Sequence, residues 1–547
     1  MPAQGCTLGG IRTGGDRIPT TRSIHPKGGA IRRPGRRAPD PHAPPNAGRS
    51  WVYALATAVL CSALLIWAQF SFEGLYDGDS YFHTRASQQL REHGVRKEFP
   101  QTGFSTWKES YSDKDFLFHA LLIPFCGDGK DLVGGGKMAV AVFDVALLIT
   151  LAVTLVRLRI RFAPLWILLL LGTHIVLLRR LMSVRPHLLG MTFLLLEIVL
   201  VLNGRWKTLF FVSAFHLLGH SSFVLLPGLL LAQFLAHLLR RKPLPWKACG
   251  AGILGLCLAS LLHPYFPNNL TLAYDQIFQV ARNAWGGGAG IPMDLFGREL
   301  DPIGIWRFGE LVPGWLPTLA GLLGIFVLRG FRGYTARLLT LIFLTGELLV
   351  LTFLSSRFAF PFLVTNAILS GALWSDLAGQ RPWRDWLVGG GLRPRLSVLL
   401  LATCLVLGQL RSNPFRLSEI LRHQPTNEVF RPAVGYLDSV AAPDDIVYHN
   451  FWWDFNVLYN FRPHGRYVEA LDPVFLYRYD QYLFDQMLRG YRGRSPDLYH
   501  VIAKSFGARW IYVQVLRKNL PFRTQLAGES RIRRVYGDNV AEVYKVD

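Results

Sequence analysis

The densest group of reactive side chains follows the first long apolar run, in Tyr76-Asp77-Gly78-Asp79-Ser80-Tyr81-Phe82-His83-Thr84-Arg85. Two carboxylates separated by one glycine can chelate a divalent ion such as Mg2+ or Mn2+. Alternatively one acts as a base while the other is held by an arginine or a metal. A helix-like stretch begins at once and sets His83 one turn beyond Asp79. A second group is basic: Arg179, Arg180, Arg185 and His187 lie together between two apolar runs, and Arg357 stands in Ser355-Ser356-Arg357-Phe358. Clustered guanidinium groups grip a phosphate or pyrophosphate in bidentate fashion. The competing use is snorkelling at a helix end. Histidines recur in the same part of the chain: His119, His187, His216, His220 and His263. His216 and His220 have the i,i+4 spacing that can hold a metal, but with no third ligand in view, buried hydrogen-bonded rings are the expectation. Near the C-terminus, Trp452-Trp453-Asp454 puts two indoles beside a carboxylate. Such a surface stacks on a sugar or pins a short peptide; its other use is packing against a sheet.

The elements that must position these residues are mostly apolar. The chain has 547 residues, 50% of them hydrophobic and only 18% charged, against about 25% charged in a soluble protein. Its mean hydropathy is +0.24. Disordered and collagen-like chains are excluded by the same arithmetic. The six cysteines form no CxxC pair, which argues against a zinc site or a disulfide framework. Residues 51–70 are uncharged and about one bilayer long. Further apolar runs lie at 135–156, 162–178, 188–203, 207–221, 222–239, 246–264, 314–330, 337–355, 357–375 and 395–412. Together they predict about eleven membrane spans. Starting inside, the predicted cytoplasmic loops hold Arg157/Arg159/Arg161, Arg205/Lys207, Arg240/Arg241/Lys242, Arg329/Arg332/Arg337 and Arg381/Arg384/Arg393/Arg395. All obey the positive-inside rule. The net charge of +22 is therefore topological, and no nucleic acid is expected as a partner.

This reading divides the chain into a disordered basic cytoplasmic tail (1–50), a membrane domain (51–412) and an outward domain (413–547). Outer loops are expected at 71–134 and 265–313. The tail alternates helix-like stretches with β-rich runs such as Trp510-Ile511-Tyr512-Val513 and Val540–Val543, which suits a small α/β domain. The fold class expected is a polytopic α-helical membrane protein with a C-terminal extracytoplasmic α/β domain.

In this order the residues resemble the GT-C superfamily of polyprenyl-phosphate-dependent glycosyltransferases. Within it they are similar to the STT3-type catalytic subunits of oligosaccharyltransferases. The resemblance rests on a cytoplasmic N-terminus, the aspartate motif Asp77/Asp79 in the first outer loop, and an outward domain opening near Trp452-Trp453-Asp454. It implies transfer of a sugar or oligosaccharide from a polyprenyl-(pyro)phosphate donor to an acceptor at the outer face of a bacterial inner membrane. Protein, lipid and polysaccharide all remain open as the acceptor, and membrane lipids surround the protein. By the same analogy Asp77 and Asp79 are catalytic, as base or as ligands of Mg2+ or Mn2+. His83, Arg180, Arg185, His187, His220, Arg357, Trp452, Trp453 and Asp454 would bind substrate. The chain departs from the pattern in three places, one being the loop around Ser355–Arg357, only a few residues long where the family has a long mobile loop with a functional glutamate. The chain also continues Phe455-Asn456 where the motif has Tyr-Gly, and its 179–187 loop lacks the second acidic motif, so further metal ligands would come from 265–313. The rivals are a transporter or flippase and a non-catalytic glycolipid binder. A transporter would place ionisable groups deep in the spans, where Glu197 and Glu347 are the main exceptions.

Overall fold

The computed structural model describes residues 47–173, 175–279, 290–303, 312–379 and 426–547. The expected span at 395–412, the basic tail up to residue 46, Glu310 and the glycines at 286–288 lie outside these residues. Every apolar run from 51–70 to 357–375 is helical. Six helices are long and apolar enough to cross a membrane: Ser50–Phe70, Leu132–Arg157, Ser221–Leu239, Gly314–Gly333, Ala336–Leu354 and Ser356–Ala378. The others are shorter. Trp206–Gly219 has 14 residues, about 21 Å of helix, against a hydrocarbon core of about 30 Å. The run 162–178 is divided between Ala163–Thr173 and Ile175–Met182. Apolarity alone thus marks the helices correctly, while the length test admits fewer spans than the runs suggest.

The predicted outer loop 71–134 is itself largely helical. It carries Gly78–His93 and Phe116–Cys126, the first capped by the Asp77 side chain. The C-terminal residues form a five-stranded sheet in the order β2-β1-β3-β5-β4. Its strands are β1 (Ile446–His449), β2 (Arg466–Tyr467), β3 (Ala508–Gln514), β4 (Ile532–Gly537) and β5 (Ala541–Val546). β2, β1 and β3 are parallel, with Val447 opposite Trp510 and His449 opposite Tyr512. β5 runs antiparallel between β3 and β4. The two β-rich runs read from the sequence are β3 and the start of β5. As the central parallel strand, β1 is covered on both faces, which is why Val447, Tyr448 and His449 are all fully buried.

The first loop and the sheet share one core. Phe82, Phe99, Trp107 and Tyr111 pack with Phe455, Tyr459, Tyr467 and Phe475. The edge of β2 is covered by the same loop: Gly103 N donates to the Tyr467 carbonyl at 2.9 Å and Phe104 N to that of Val468 at 3.0 Å. The helix Gly78–His93 is thereby docked on Asp454–Phe461, with the Phe82 ring 5.9 Å from that of Tyr459. Arg85 adds a hydrogen bond to the Asn460 carbonyl. Two segments far apart in sequence are fixed side by side.

Candidate functional site

The first aspartate motif opens a helix. Asp77 is the N-cap, at φ 69°, and its Oδ1 accepts from Asp79 N at 2.7 Å. A non-glycine residue at positive φ costs about 1–3 kcal/mol and persists only where its surroundings hold it. Gly78 must be glycine here for a different reason: a Cβ would sit 2.7 Å from the Trp453 ring. The glycine between the carboxylates is therefore the contact point with the tryptophan pair. Trp453 also packs edge-on against Trp452, at 5.6 Å, and Trp452 donates its indole N–H to the Leu295 carbonyl.

The arginine loop is stapled to the same helix start. Tyr76 and Ser183 form a parallel bridge, and Val184 N donates to Ser80 Oγ at 2.9 Å. This brings Arg185 between the two aspartates. Its guanidinium pairs with Asp79, and its Nε lies 3.4 Å from Asp77 Oδ2. The other Asp79 oxygen accepts from Asn456 Nδ2 at 2.9 Å. Asn456 is one of the residues that depart from the family pattern, and sequence reasoning assigned it no role.

Glu299 closes the other side. It accepts from Arg180 at 2.8 Å and from Arg357 at 2.6 Å, and it lies 3.4 Å from Arg185. Its backbone carbonyl is held by the hydroxyls of Ser355 and Ser356, each at 3.0 Å. Burial pushes this carboxyl up, but Arg357, Arg180 and Arg185 outweigh it and hold it well below the usual carboxylate range. Arg180, Arg185 and Arg357 converge on Glu299 from two segments, 179–187 and Ser356–Phe358. Arg357 is the most open of them, with half of its side chain exposed. In the sequence Glu299 is one of several acidic residues of the 265–313 loop, with Asp294, Asp301 and Glu310.

The imidazoles form two hydrogen-bonded chains. In one, His119 Nδ1 lies 2.6 Å from Asp113 Oδ2, and His119 Nε2 lies 2.8 Å from His83 Nδ1. In the other, Glu197 Oε1 is 2.9 Å from His216 Nδ1, and Ser222 Oγ is 2.8 Å from both His216 Nε2 and His220 Nδ1. His216 and His220 are thus linked through a serine as buried hydrogen-bonded rings. His187 is engaged by the backbone, its Nε2 donating to the Arg180 carbonyl at 2.8 Å. Beside them, burial pushes the Asp115 carboxyl up to about 6.

Asp454 is placed differently from a ligand-facing carboxylate. It is fully buried, neither of its oxygens has a hydrogen-bond partner among the described residues, and burial raises its carboxyl to about 8. The Trp453 indole lies against Gly78 of the aspartate motif, and Asp454 is buried in the core of the sheet domain.

The expected divalent ion does not fit the residues as placed. The Asp77 and Asp79 oxygens that would face it are engaged by Arg185 and Asn456. Among the described residues no three His, Cys, Asp or Glu side chains are placed to hold a metal.

No family model matches the chain, and no curated protein matches it. Solved structures do. The oligosaccharyltransferase of Archaeoglobus fulgidus in its apo form is 12% identical with a TM-score of 0.60, over 86% of this chain and 69% of that one. The A. fulgidus oligosaccharyltransferase in complex with zinc and sulfate gives 12%, 0.58, 85% and 68% in the same order. The arabinofuranosyltransferase AftD from Mycobacteria is 15% identical with a TM-score of 0.55, over 90% of this chain and 40% of that one. The fold is similar to that of these glycosyltransferases, and the chain is a multi-pass membrane protein.

Proposed function

We propose that this protein is a membrane glycosyltransferase that moves a sugar or oligosaccharide from a polyprenyl-phosphate or polyprenyl-pyrophosphate donor to an acceptor at the outer face of a bacterial inner membrane. The observation that carries the proposal is the convergence of Arg180, Arg185 and Arg357 beside Asp77 and Asp79. In the reaction the acceptor oxygen attacks the anomeric carbon and the carbon–oxygen bond to phosphate breaks. The departing phosphate gains charge, and Arg357, the most open of the three guanidiniums, meets it first. Fixed cations in a water-poor site offset that charge without reorganising. Asp79 and Arg185 form the charged frame in which the acceptor is oriented. Arg185 provides the positive charge beside the aspartates that a metal would otherwise supply.

The isoprenoid of the donor would lie among the apolar helices, whose packing as it stands leaves only a crevice too small for such a chain, lined by Leu147, Leu151, Leu177, Leu181, Phe360 and Val364. Two of these adjoin the arginines in sequence, Leu181 beside Arg180 and Phe360 close to Arg357. The buried Asp454 supports a lipid or polysaccharide acceptor over a peptide, because it offers no carboxylate to an incoming chain.

Purified protein supplied with a synthetic polyprenyl-phosphate-linked sugar tests the reading. Release of free polyprenyl phosphate by wild type, abolished in Asp79→Asn, is the expected result. Binding or translocation of the intact glycolipid with no cleavage of any such donor would replace it with the transporter reading.

A further inference from the structure

A buried imidazole that serves packing alone has both ring nitrogens satisfied. His83 does not. Its Nδ1 bonds to His119, and among the described residues nothing bonds to Nε2. The hydrogen positions along the chain follow from its far end. Asp113 Oδ1 accepts the amide of Asp115 at 3.0 Å, and Oδ2 faces His119 Nδ1 at 2.6 Å. A carboxylate only accepts, so His119 carries its hydrogen on Nδ1. In the neutral ring its Nε2 is a lone pair and takes the N–H of His83 Nδ1. The remaining atom, His83 Nε2, is then a lone pair as well.

His83 is one helical turn from Asp79 on the same face. It is also within electrostatic reach of Lys114 and His220. His220 has the opposite polarity: the Ser222 amide donates to its Nδ1 at 3.1 Å, so its neutral ring carries hydrogen on Nε2.

We propose that His83 Nε2 takes the proton of the acceptor hydroxyl, and that His119 and Asp113 draw that proton away from the reacting centre. The proposal rests on the glycosyltransferase reading. As the acceptor oxygen bonds to the anomeric carbon and the phosphate leaves with the electron pair, the hydroxyl proton moves to His83 Nε2. The hydrogen on His83 Nδ1 passes to His119 Nε2. The chain ends with a neutral His83 bearing N–H on Nε2 and a cationic His119 beside the Asp113 carboxylate. The His83–His119 hydrogen bond has reversed while His119 still donates to Asp113, and the proton leaves to water when the products do.

The surroundings account for two rings where one would serve as a base. Burial, with His119, Lys114 and His220 nearby, holds His83 well below the ordinary imidazole range, so it does not retain a proton next to the arginines. His119 sits against Asp113. The other charged or titratable groups facing this chain are Tyr111, Asp115, His263 and Tyr265, and none of them supplies a hydrogen bond to His83 or His119. In this assignment His83 is the catalytic residue, while His119 and Asp113 are positioning residues.

The test uses the full-length protein and a polyprenyl-phosphate-linked hexose or pentose that wild type turns over. Asp113→Asn and His119→Gln should lower kcat by about 100-fold, leave the donor KM within about twofold, and displace the rising limb of the kcat–pH profile. His83→Ala should lose turnover, and added imidazole should restore it in proportion to its concentration. Loss of turnover that imidazole does not restore, or an Asp113→Asn variant with the wild-type kcat and pH profile, overturns the proposal and leaves the glycosyltransferase reading intact. If wild type turns over no such donor, it is that reading which fails. The unchanged donor KM serves as the check on folding.

Discussion

The contact between Gly78 and Trp453 gives the sharpest prediction. A Cβ at residue 78 would lie 2.7 Å from Trp453 Cζ2, 3.3 Å from its Cε2 and 3.3 Å from Asn427 Oδ1. Carbon atoms in packed proteins rest at about 3.5–4.0 Å, so in Gly78→Ala the indole must retreat by about 0.8 Å or more. It cannot swing freely, because Trp453 is the N-cap residue of the helix that carries Asn456. Asn456 in turn holds Asp79, and the disturbance is passed straight to the aspartate. Overpacking of this kind costs about 1–3 kcal/mol of stability, and a misplacement near 1 Å costs roughly 100-fold in turnover. Backbone strain adds nothing, since Gly78 is helical, and helix propensity alone would favour alanine by about 0.5–1 kcal/mol. The assay is release of polyprenyl phosphate together with the Tm of the purified protein. Gly78→Ala should lose both activity and stability, and Trp453→Leu in the same chain should return part of the stability. A Gly78→Ala variant with wild-type turnover and a raised Tm would show that propensity dominates and that this contact does not position Asp79.

Other outcomes follow from the same geometry. Arg357→Ala removes a guanidinium worth about 1.5–3 kcal/mol to a charged partner, so donor KM should rise roughly 10- to 100-fold in steady-state assays. Prolonged EDTA treatment should leave turnover unchanged, and added Mg2+ or Mn2+ should not raise it; chelator-sensitive activity would refute the role given to Arg185. Arg185→Lys keeps the charge but loses the fork that spans Asp77, Asp79 and Glu299, so it should lower kcat and not be rescued by those ions. In the sheet, hydrogen bonds from Arg523, Tyr544 and Arg534 hold Glu542 at about 2, below its ordinary 4.5. Because the folded value is the lower, this stabilisation is complete above the unfolded value and is lost as pH falls from about 4.5 to about 2. Discounted for the exposure of Arg534, it is worth about 2 kcal/mol. Thermal unfolding of Glu542→Gln should therefore show a lowered Tm at neutral pH and a flatter slope across that acid window.

The parts of the molecule governed by local physics were legible in the sequence. Apolar runs became helices, and Trp510–Val513 became a buried strand. Arg180, Arg185 and Arg357 met because guanidiniums between apolar runs need an anion. The partners that complete the site depend on tertiary placement and left no local signal. Glu299 is one acid among several in its loop until Ser355 and Ser356 fix it. Asn456 reads as a break in a motif until it reaches Asp79. Asp113 and His119 straddle the start of a short helix, and their link to His83 exists only because Phe116–Cys126 packs beside Gly78–His93. The spacing Asp77-Gly78-Asp79 likewise announces a need for a cation without saying whether that cation is a metal or Arg185. Asp454 was expected beside a ligand because of its tryptophans, yet the same indoles cover the first loop and leave the carboxylate in the core.

The most direct test of the central claim is mass spectrometry of polyprenyl-linked sugars in a strain lacking this protein, complemented with wild type or with Asp79→Ala. A membrane glycosyltransferase predicts that one lipid-linked sugar accumulates in the deletion, clears with wild type and persists with Asp79→Ala. Unchanged lipid-linked sugars in the deletion, or full clearance by Asp79→Ala, would contradict it.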